Sequence, residues 1–141
     1  MISRRGWIVC AIAALAGSSA CAPSVSDHDN RIFAMPASVK LSSGELSGAY
    51  KASTSDADGR YQGRVVEISG VVRGVRPGAA AVVTMAGAEG GPSIEASIHE
   101  AVSAELLKTV ADGQRITLKC FCEGLNQHVR LKSCVPPDAG R

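Results

Sequence analysis

VVEISGVVRGV, residues 65–75, is the stretch of the chain that decides the fold. Val66 and Ile68 alternate with more polar neighbours, which is the period of two expected for a strand with one buried face. Gly70 interrupts this pattern before a second valine-rich run follows. A glycine inside a strand often marks a β-bulge, which lets a long strand curve around a small barrel. We therefore predict a long bent strand with its bulge at Gly70.

Four further strands and one helix are predicted downstream. The pattern of alternation, helical spacing and turn residues places them as strands at 80–86 and 93–99, a helix at 100–110, and strands at 116–122 and 129–131, with a turn at 124–127 between the last two. Three strands, a helix and two strands is the element order of the OB-fold, a five-stranded Greek-key barrel. We therefore predict a mainly β fold with helices, in which residues 39–136 form one OB-fold domain.

A short helix should precede the barrel. Ser42 and Glu45 have the spacing of a capping box, in which each side chain binds a free backbone N–H of the first turn. Leu46, Ala49 and Tyr50 then continue an apolar stripe at helical spacing. This pattern predicts one short amphipathic helix.

The first twenty residues have the pattern of an export signal. Arg4 and Arg5 come before the apolar run WIVCAIAALAG at 7–17, and small residues follow at 18–20. The run is shorter than the roughly 20 residues that span a bilayer. We predict a signal peptide over residues 1–20.

Cys21 follows the predicted cleavage site. The stretch Ser18-Ser19-Ala20-Cys21 resembles a lipobox, in which the cysteine takes a lipid, although Ser18 stands where Leu is usual. The alternative is an ordinary secretory cut that leaves a free thiol. We favour a lipoprotein, anchored in a membrane through Cys21 and facing the periplasm. Ala22 favours the outer membrane over the inner one. Residues 21–38 are predicted to be a flexible tether, and residues 137–141 a tail.

Charge weighs against nucleic acid as a partner. Removal of residues 1–20 removes Arg4 and Arg5, so thirteen Lys and Arg then face thirteen Asp and Glu. Proteins that hold nucleic acid without reading its sequence usually carry a clear basic excess. The neutral mature chain lacks that excess.

Several short motifs resemble one known family. They are Leu46, Ala49-Tyr50, Ala57-Asp58, Tyr61, Gly63, residues 65–70, Gly113-Gln114, Cys122-Glu123-Gly124 and residues 129–134. The chain is similar through them, over about residues 41–136, to the bacterial tRNA_anti-like family of OB-fold lipoproteins. Ser53 departs from the family, which often has Asn there. The resemblance implies the OB-fold and little about activity, because one fold serves many ligands.

The cysteines near the C-terminus allow three interpretations. The resemblance to the family implies a disulfide between Cys122 and Cys134, which would require a bulge or bend near Ser133. A slip in strand register would instead let Cys120 reach Cys134. Zinc held by Cys120, Cys122, His128 and Cys134 is a weaker alternative, since C-x-C is unusual at structural zinc sites. We predict no metal and no cofactor.

A binding face and a function complete the predictions. Phe121 with Lys119, Arg130 and Lys132 could form a cationic patch around one stacking ring, although a solvated strand face is the simpler interpretation. No catalytic motif is recognisable, so we predict a non-enzymatic binding module. Its partner would be an envelope protein or a small ligand. The alternatives are a redox or metal-handling protein using Cys120 and Cys122, and an oligonucleotide-binding OB-fold.

Overall fold

The computed structural model describes residues 28–140, so the predicted signal peptide and Cys21 lie outside the described residues. The elements in chain order are a short 3-10 helix (Asn30–Phe33), β1 (Val39–Ser42), α1 (Ser43–Ala52), α2 (Thr54–Tyr61), β2 (Val65–Arg76), β3 (Val82–Met85), β4 (Ile94–Ile98), α3 (Glu100–Leu107), β5 (Arg115–Asn126) and β6 (His128–Val135).

Five strands close into a barrel. The strands pair in the order β2, β3, β4, β6 and β5, and β5 pairs again with β2. The pairing of β4 with β6 is parallel, and the other pairings within the ring are antiparallel. This arrangement confirms the predicted mainly β fold and its OB-fold barrel. A sixth strand, β1, was not predicted from the sequence, and it pairs with β2 in parallel with Val39 opposite Val66.

The inward side chains of the strands form the main core. The largest fully buried ones include Ile68, Met85, Ile94 and Leu118. Helix α3 follows β4, and its partly buried apolar side chains pack against this core. The alternating apolar residues that predicted the strands are therefore the residues that fill the barrel.

Gly70 lies in a regular part of β2, so the prediction of a bulge there is wrong. Gly70 pairs with Ile116, and the register shifts later, between Val72 and Gly74. Position 70 requires glycine because the start of α1 comes very close to β2 there. A Cβ there would overlap Ser43 Oγ and lie 2.7 Å from Ser43 Cβ. The absence of a side chain lets the start of α1 lie against the strand.

The segment before β2 contains two helices instead of one. The predicted capping box is present, because Ser42 Oγ accepts from the Glu45 N–H at 3.0 Å and the Ser42 N–H donates to Glu45 at 2.7 Å. Ser53 breaks the helix with extended dihedrals. Its side chain then accepts from the Asp56 N–H at 3.3 Å and caps α2.

Residues 28–38 pack against the barrel, which contradicts the predicted tether for this part of the chain. Ile32 is fully buried in a second, smaller core with Val65, Phe121 and Val135. The predicted tail also packs, since Ala139 lies against the same core. We call residues 28–37 the N-terminal strap.

The hairpin between β5 and β6 is tighter than predicted. Asn126 pairs with His128, so the turn is centred on Gln127, whose φ is 65°. The register of the hairpin shifts twice, and Ser133 has a φ of 56° near one of these shifts. The irregularity expected near Ser133 is therefore present.

Candidate functional site

The predicted cationic patch does not form one surface. Lys119 and Phe121 lie on the outer side of β5, and each is 7% exposed. The Arg31 guanidinium lies 5.9 Å from the centre of the Phe121 ring. The ring packs with Ile32 in the second core. Phe121 is therefore covered by the N-terminal strap and offers no free platform for stacking.

Lys132 and Arg130 each lie beside an acidic residue. Lys132 and the edge of Phe121 border an open depression of about 550 Å³ beside the strap. Its cations already have partners, because Lys132 pairs with Glu123 at 3.5 Å and Arg31 pairs with Asp29 at 2.5 Å. The hydrogen bond from Arg31 lowers the pKa of Asp29 to about 2. Arg130 lies two residues before Lys132 on the same outward side of β6, opposite Glu95 of β4.

The disulfide joins Cys120 to Cys134, so the predicted pairing of Cys122 with Cys134 is wrong. The register of β5 and β6 explains why Cys120, and not Cys122, is bonded to Cys134. Lys119 lies opposite Val135, and Cys122 lies opposite Leu131, three residues short of Cys134. The neighbouring cysteine, Cys120, is the one that reaches it, at a Cα–Cα distance of 4.2 Å.

Cys122 is a buried free thiol. Burial raises its pKa, and a thiol held in its protonated form is a poor nucleophile and a poor metal ligand. Cys120 is already bonded to Cys134, so the two residues of the redox alternative do not form a dithiol. His128 lies on the outer face of β6, away from these inward cysteines, and the four residues of the zinc alternative do not meet.

Several residues of the motifs that resemble the tRNA_anti-like family lie together where α1 and α2 contact the barrel. The Tyr50 hydroxyl donates to Asp58 Oδ1 at 2.8 Å and lies 3.7 Å from Cys122 Sγ. Burial raises the pKa of Tyr50. Gly124 has a φ of 107°, and a Cβ there would lie 3.0 Å from Asp58 Oδ1. These residues have a packing role, in which they hold α1 and α2 against β5.

A charged network lies on the outer surface of the barrel, centred on Glu95. The Arg76 guanidinium lies 3.4 Å from Glu95 Oε1, and His128 Nε2 lies 3.8 Å from Glu95 Oε2. Arg130 is the neighbour of Glu95 on β6. His128 is further held by a hydrogen bond of 2.6 Å between its Nδ1 and Ser93 Oγ.

We call this surface the Glu95 face, and we define it by six outward side chains from the end of β2 and from β3, β4 and β6, namely Arg76, Thr84, Glu95, Ser97, His128 and Arg130. Small residues separate the charged ones, since Thr84 lies opposite Gly74 and Glu95. The face corresponds to strands 2 and 3 of the barrel with the turn before its last strand, where OB-folds hold oligonucleotides and oligosaccharides.

Of the residues of this face, only Arg130 was among the predicted binding residues. The alternation in residues 93–99 is the signal that could have placed Glu95 on the outward side of its strand. Arg76 and His128 come from strands distant in sequence, so only the barrel pairing brings them to Glu95.

The described part of the chain carries no group of three or more His, Cys, Asp or Glu residues placed to hold a metal ion. Its acids, bases and cations are distributed over a barrel surface with one buried disulfide. The fold is that of an OB-fold domain, and its polar outer face carries two arginines and a histidine around one glutamate.

The chain belongs to the tRNA_anti-like family, whose model matches residues 2–135. The chain is also similar in structure to a lipoprotein of Klebsiella pneumoniae subsp. pneumoniae MGH 78578, provisionally named as nucleic acid-binding. The TM-score is 0.56 at 17% sequence identity, over 76% of this chain and 95% of that one. At this identity the likeness supports the fold alone. A comparison with curated proteins gave no match.

Proposed function

We propose that this chain is a lipid-anchored, non-enzymatic binding module of the bacterial cell envelope that holds an anionic partner on the Glu95 face. The observation that carries the proposal is the charge of that face. Arg76, Arg130 and the imidazole of His128 surround the single carboxylate of Glu95, and the Arg76 side chain is 70% exposed. An acidic surface of an envelope protein would complement this arrangement.

The proposed anchor is Cys21. It is supported by the signal-like leader and by the Klebsiella neighbour, whose provisional name is that of a nucleic acid-binding lipoprotein. His28 lies seven positions after Cys21, and seven extended residues span at most about 25 Å. The barrel would therefore work close to a membrane surface. No helix within residues 28–140 is long and apolar enough to cross a bilayer.

The anchor is tested by Cys21→Ser in the full chain. The variant should leave the membrane fraction or accumulate as uncut precursor, because the lipidated thiol is absent. Membrane fractionation and the size of the mature chain are the measurements. Unchanged processing and unchanged membrane association would refute the anchor.

The face is tested with an acidic polypeptide as the probe. Retention of the purified protein on immobilised poly-glutamate at low salt should fall at least several-fold in the double variant Arg76→Glu and Arg130→Glu, which reverses two of the charges. Lys108→Glu is the matched control, since Lys108 lies at the end of α3 and pairs only with Glu105 at 3.0 Å. Equal loss in both variants would contradict a role for this face.

Single-stranded nucleic acid is the second candidate, favoured by the provisional name of the Klebsiella neighbour and by the arginines of the Glu95 face. Such binding usually combines a basic groove with aromatic platforms. The Phe121 ring is covered, and the mature chain is predicted to be neutral. Retention on immobilised oligo-dT at low salt, lost in the double variant, would favour this candidate over an acidic protein.

A further inference from the structure

A cleft of about 400 Å³ lies on the other side of the N-terminal strap. Its walls are the strap residues 33–37 and the C-terminal residues 137, 139 and 140. Lys40, Glu67 and Lys119 contribute its charged groups. The cleft is separate from the Glu95 face, because it opens on β1, β2 and β5.

Lys119 is the unusual residue of this cleft. It is only 7% exposed, yet its ammonium makes no hydrogen bond or ion pair with any residue from 28 to 140. The aliphatic stem of Lys119 is covered while its ammonium keeps access to solvent at the cleft, since none of the buried polar side-chain atoms of residues 28–140 lacks a hydrogen-bond partner. The nearest acid in the sheet is Glu67, opposite Lys119 on β2, and the Glu67 carboxylate pairs with Lys40 at 3.6 Å.

The cleft carries an excess of positive charge among apolar walls. Among residues 28–140, two ammonium groups and one carboxylate line the cleft, while Asp138 lies in an adjoining depression. The apolar wall includes Met35, which is 37% exposed and is one of the two large apolar side chains most open to solvent in the described part of the chain. A ligand that matches these surfaces has one anionic group and one apolar part.

We propose that this cleft binds a small organic anion, whose oxyanion accepts a hydrogen bond from Lys119 Nζ and whose apolar part lies against Met35 and the strap. The anionic group is a carboxylate or a phosphate monoester, since both present oxygens that an ammonium can bind. The ligand gives Lys119 a hydrogen-bond partner that no residue from 28 to 140 provides.

The test uses the purified full chain with benzoate and phenyl phosphate as probes and benzyl alcohol as the uncharged probe of similar shape. Dissociation constants are measured by NMR titration. At least one anionic probe should bind, and it should bind about 10-fold or more tightly than benzyl alcohol, as expected for a hydrogen bond to a charged group. The probe that binds identifies the oxyanion. Failure of both anions to bind at millimolar concentration overturns the proposal.

Two variants assign the binding to Lys119. Lys119→Met should weaken the anionic probe by about 10- to 100-fold. Lys132→Met, which removes a lysine paired with Glu123 outside the cleft, should leave it unchanged. Equal weakening by both variants, or none by Lys119→Met, overturns the proposal.

Glu67→Gln provides a second test of the cleft if Lys119→Met does not fold. Loss of the Glu67 carboxylate, which repels an anion in the cleft, should tighten binding, a gain that a merely destabilised barrel would not give. Unchanged or weaker binding in Glu67→Gln counts against the cleft. The Arg76→Glu and Arg130→Glu double variant should bind the probe as the wild type does, so this site and the Glu95 face fail independently.

Discussion

His99 Nε2 and Asn30 Oδ1 form a hydrogen bond of 2.9 Å between the barrel and the N-terminal strap. The second ring nitrogen of His99 accepts from the Ala101 N–H at 3.1 Å and caps α3. Both bonds are satisfied at once only by the neutral imidazole, with its proton on Nε2. A protonated ring would lose its role as the cap.

The surroundings of His99 also favour its neutral imidazole. Burial lowers its pKa below the ordinary value of 6.5, and the nearby His28 lowers it further, while Glu100 and Asp29 oppose the shift. The rings of His28 and His99 lie 5.5 Å apart, so two positive charges would repel each other. Acid should therefore loosen both the strap and the first turn of α3.

The first prediction is a loss of stability as the pH falls below about 6.5. A lowered folded pKa means that the unfolded chain binds its proton first, so protons favour unfolding between pH 6.5 and the folded pKa. Urea unfolding at pH 7.5 and at pH 5.5 measures this change. His99→Asn keeps a capping side chain without titrating, and it should show a weaker dependence on pH. Equal dependence in both proteins would contradict the role of His99.

The second prediction compares two glycines of β2. Gly70→Ala should lower the free energy of unfolding by about 1–3 kcal/mol, because the new methyl overlaps Ser43. Gly74→Ala is the matched control, since a Cβ at Gly74 meets no atom within 4 Å. Thermal or urea unfolding of both variants is the measurement. If Gly70→Ala unfolds at the wild-type midpoint, the close approach is not as the structure has it.

The barrel was predictable because its strands carry one buried face each. Alternation in residues 65–75 and 93–99 is a local signal, and the barrel core uses that same alternation. The bulge was misplaced for a different reason. Sequence shows that Gly70 lacks a side chain but not whether the backbone or a neighbouring helix requires that, and here the neighbour is Ser43.

The strap and the candidate site were not predictable in the same way. Residues 28–38 carry the apolar run IFAMPA at 32–37 without a strand or helix period, and Ile32 finds its partners on the outer surface of the barrel. The Glu95 face joins residues from four strands, and the Lys119 cleft depends on both ends of the domain. Tertiary contacts of this kind leave no periodic pattern in the sequence.

The third prediction tests whether the strap belongs to the domain. Ile32→Ala should lower the free energy of unfolding by roughly 2–5 kcal/mol, because a fully buried side chain leaves the second core. Met35→Ala, three residues further along the same strap, should change it little, since Met35 is 37% exposed. Chemical unfolding separates the two. A neutral Ile32→Ala would mean that the strap does not contribute to folding.

The last prediction concerns the disulfide. Cys120 and Cys134 close a loop with a sequence separation of 14, and the restriction of the unfolded chain is worth about 3 kcal/mol. A domain of this size has only about 5–15 kcal/mol in total. The double variant Cys120→Ala and Cys134→Ala should therefore lower the urea midpoint clearly. Cys122→Ala, which removes the free thiol and leaves the bridge intact, should have the smaller effect.

Peptide mapping of the oxidised protein decides the pairing directly. A Cys120 to Cys134 link is expected, with Cys122 alkylated only after unfolding, because its thiol is buried and its raised pKa keeps it protonated. Rapid alkylation of Cys122 in the native protein would reopen a redox role. A Cys122 to Cys134 link would instead require β6 to shift along β5, which would carry Leu131 and its inward neighbours out of register with the core.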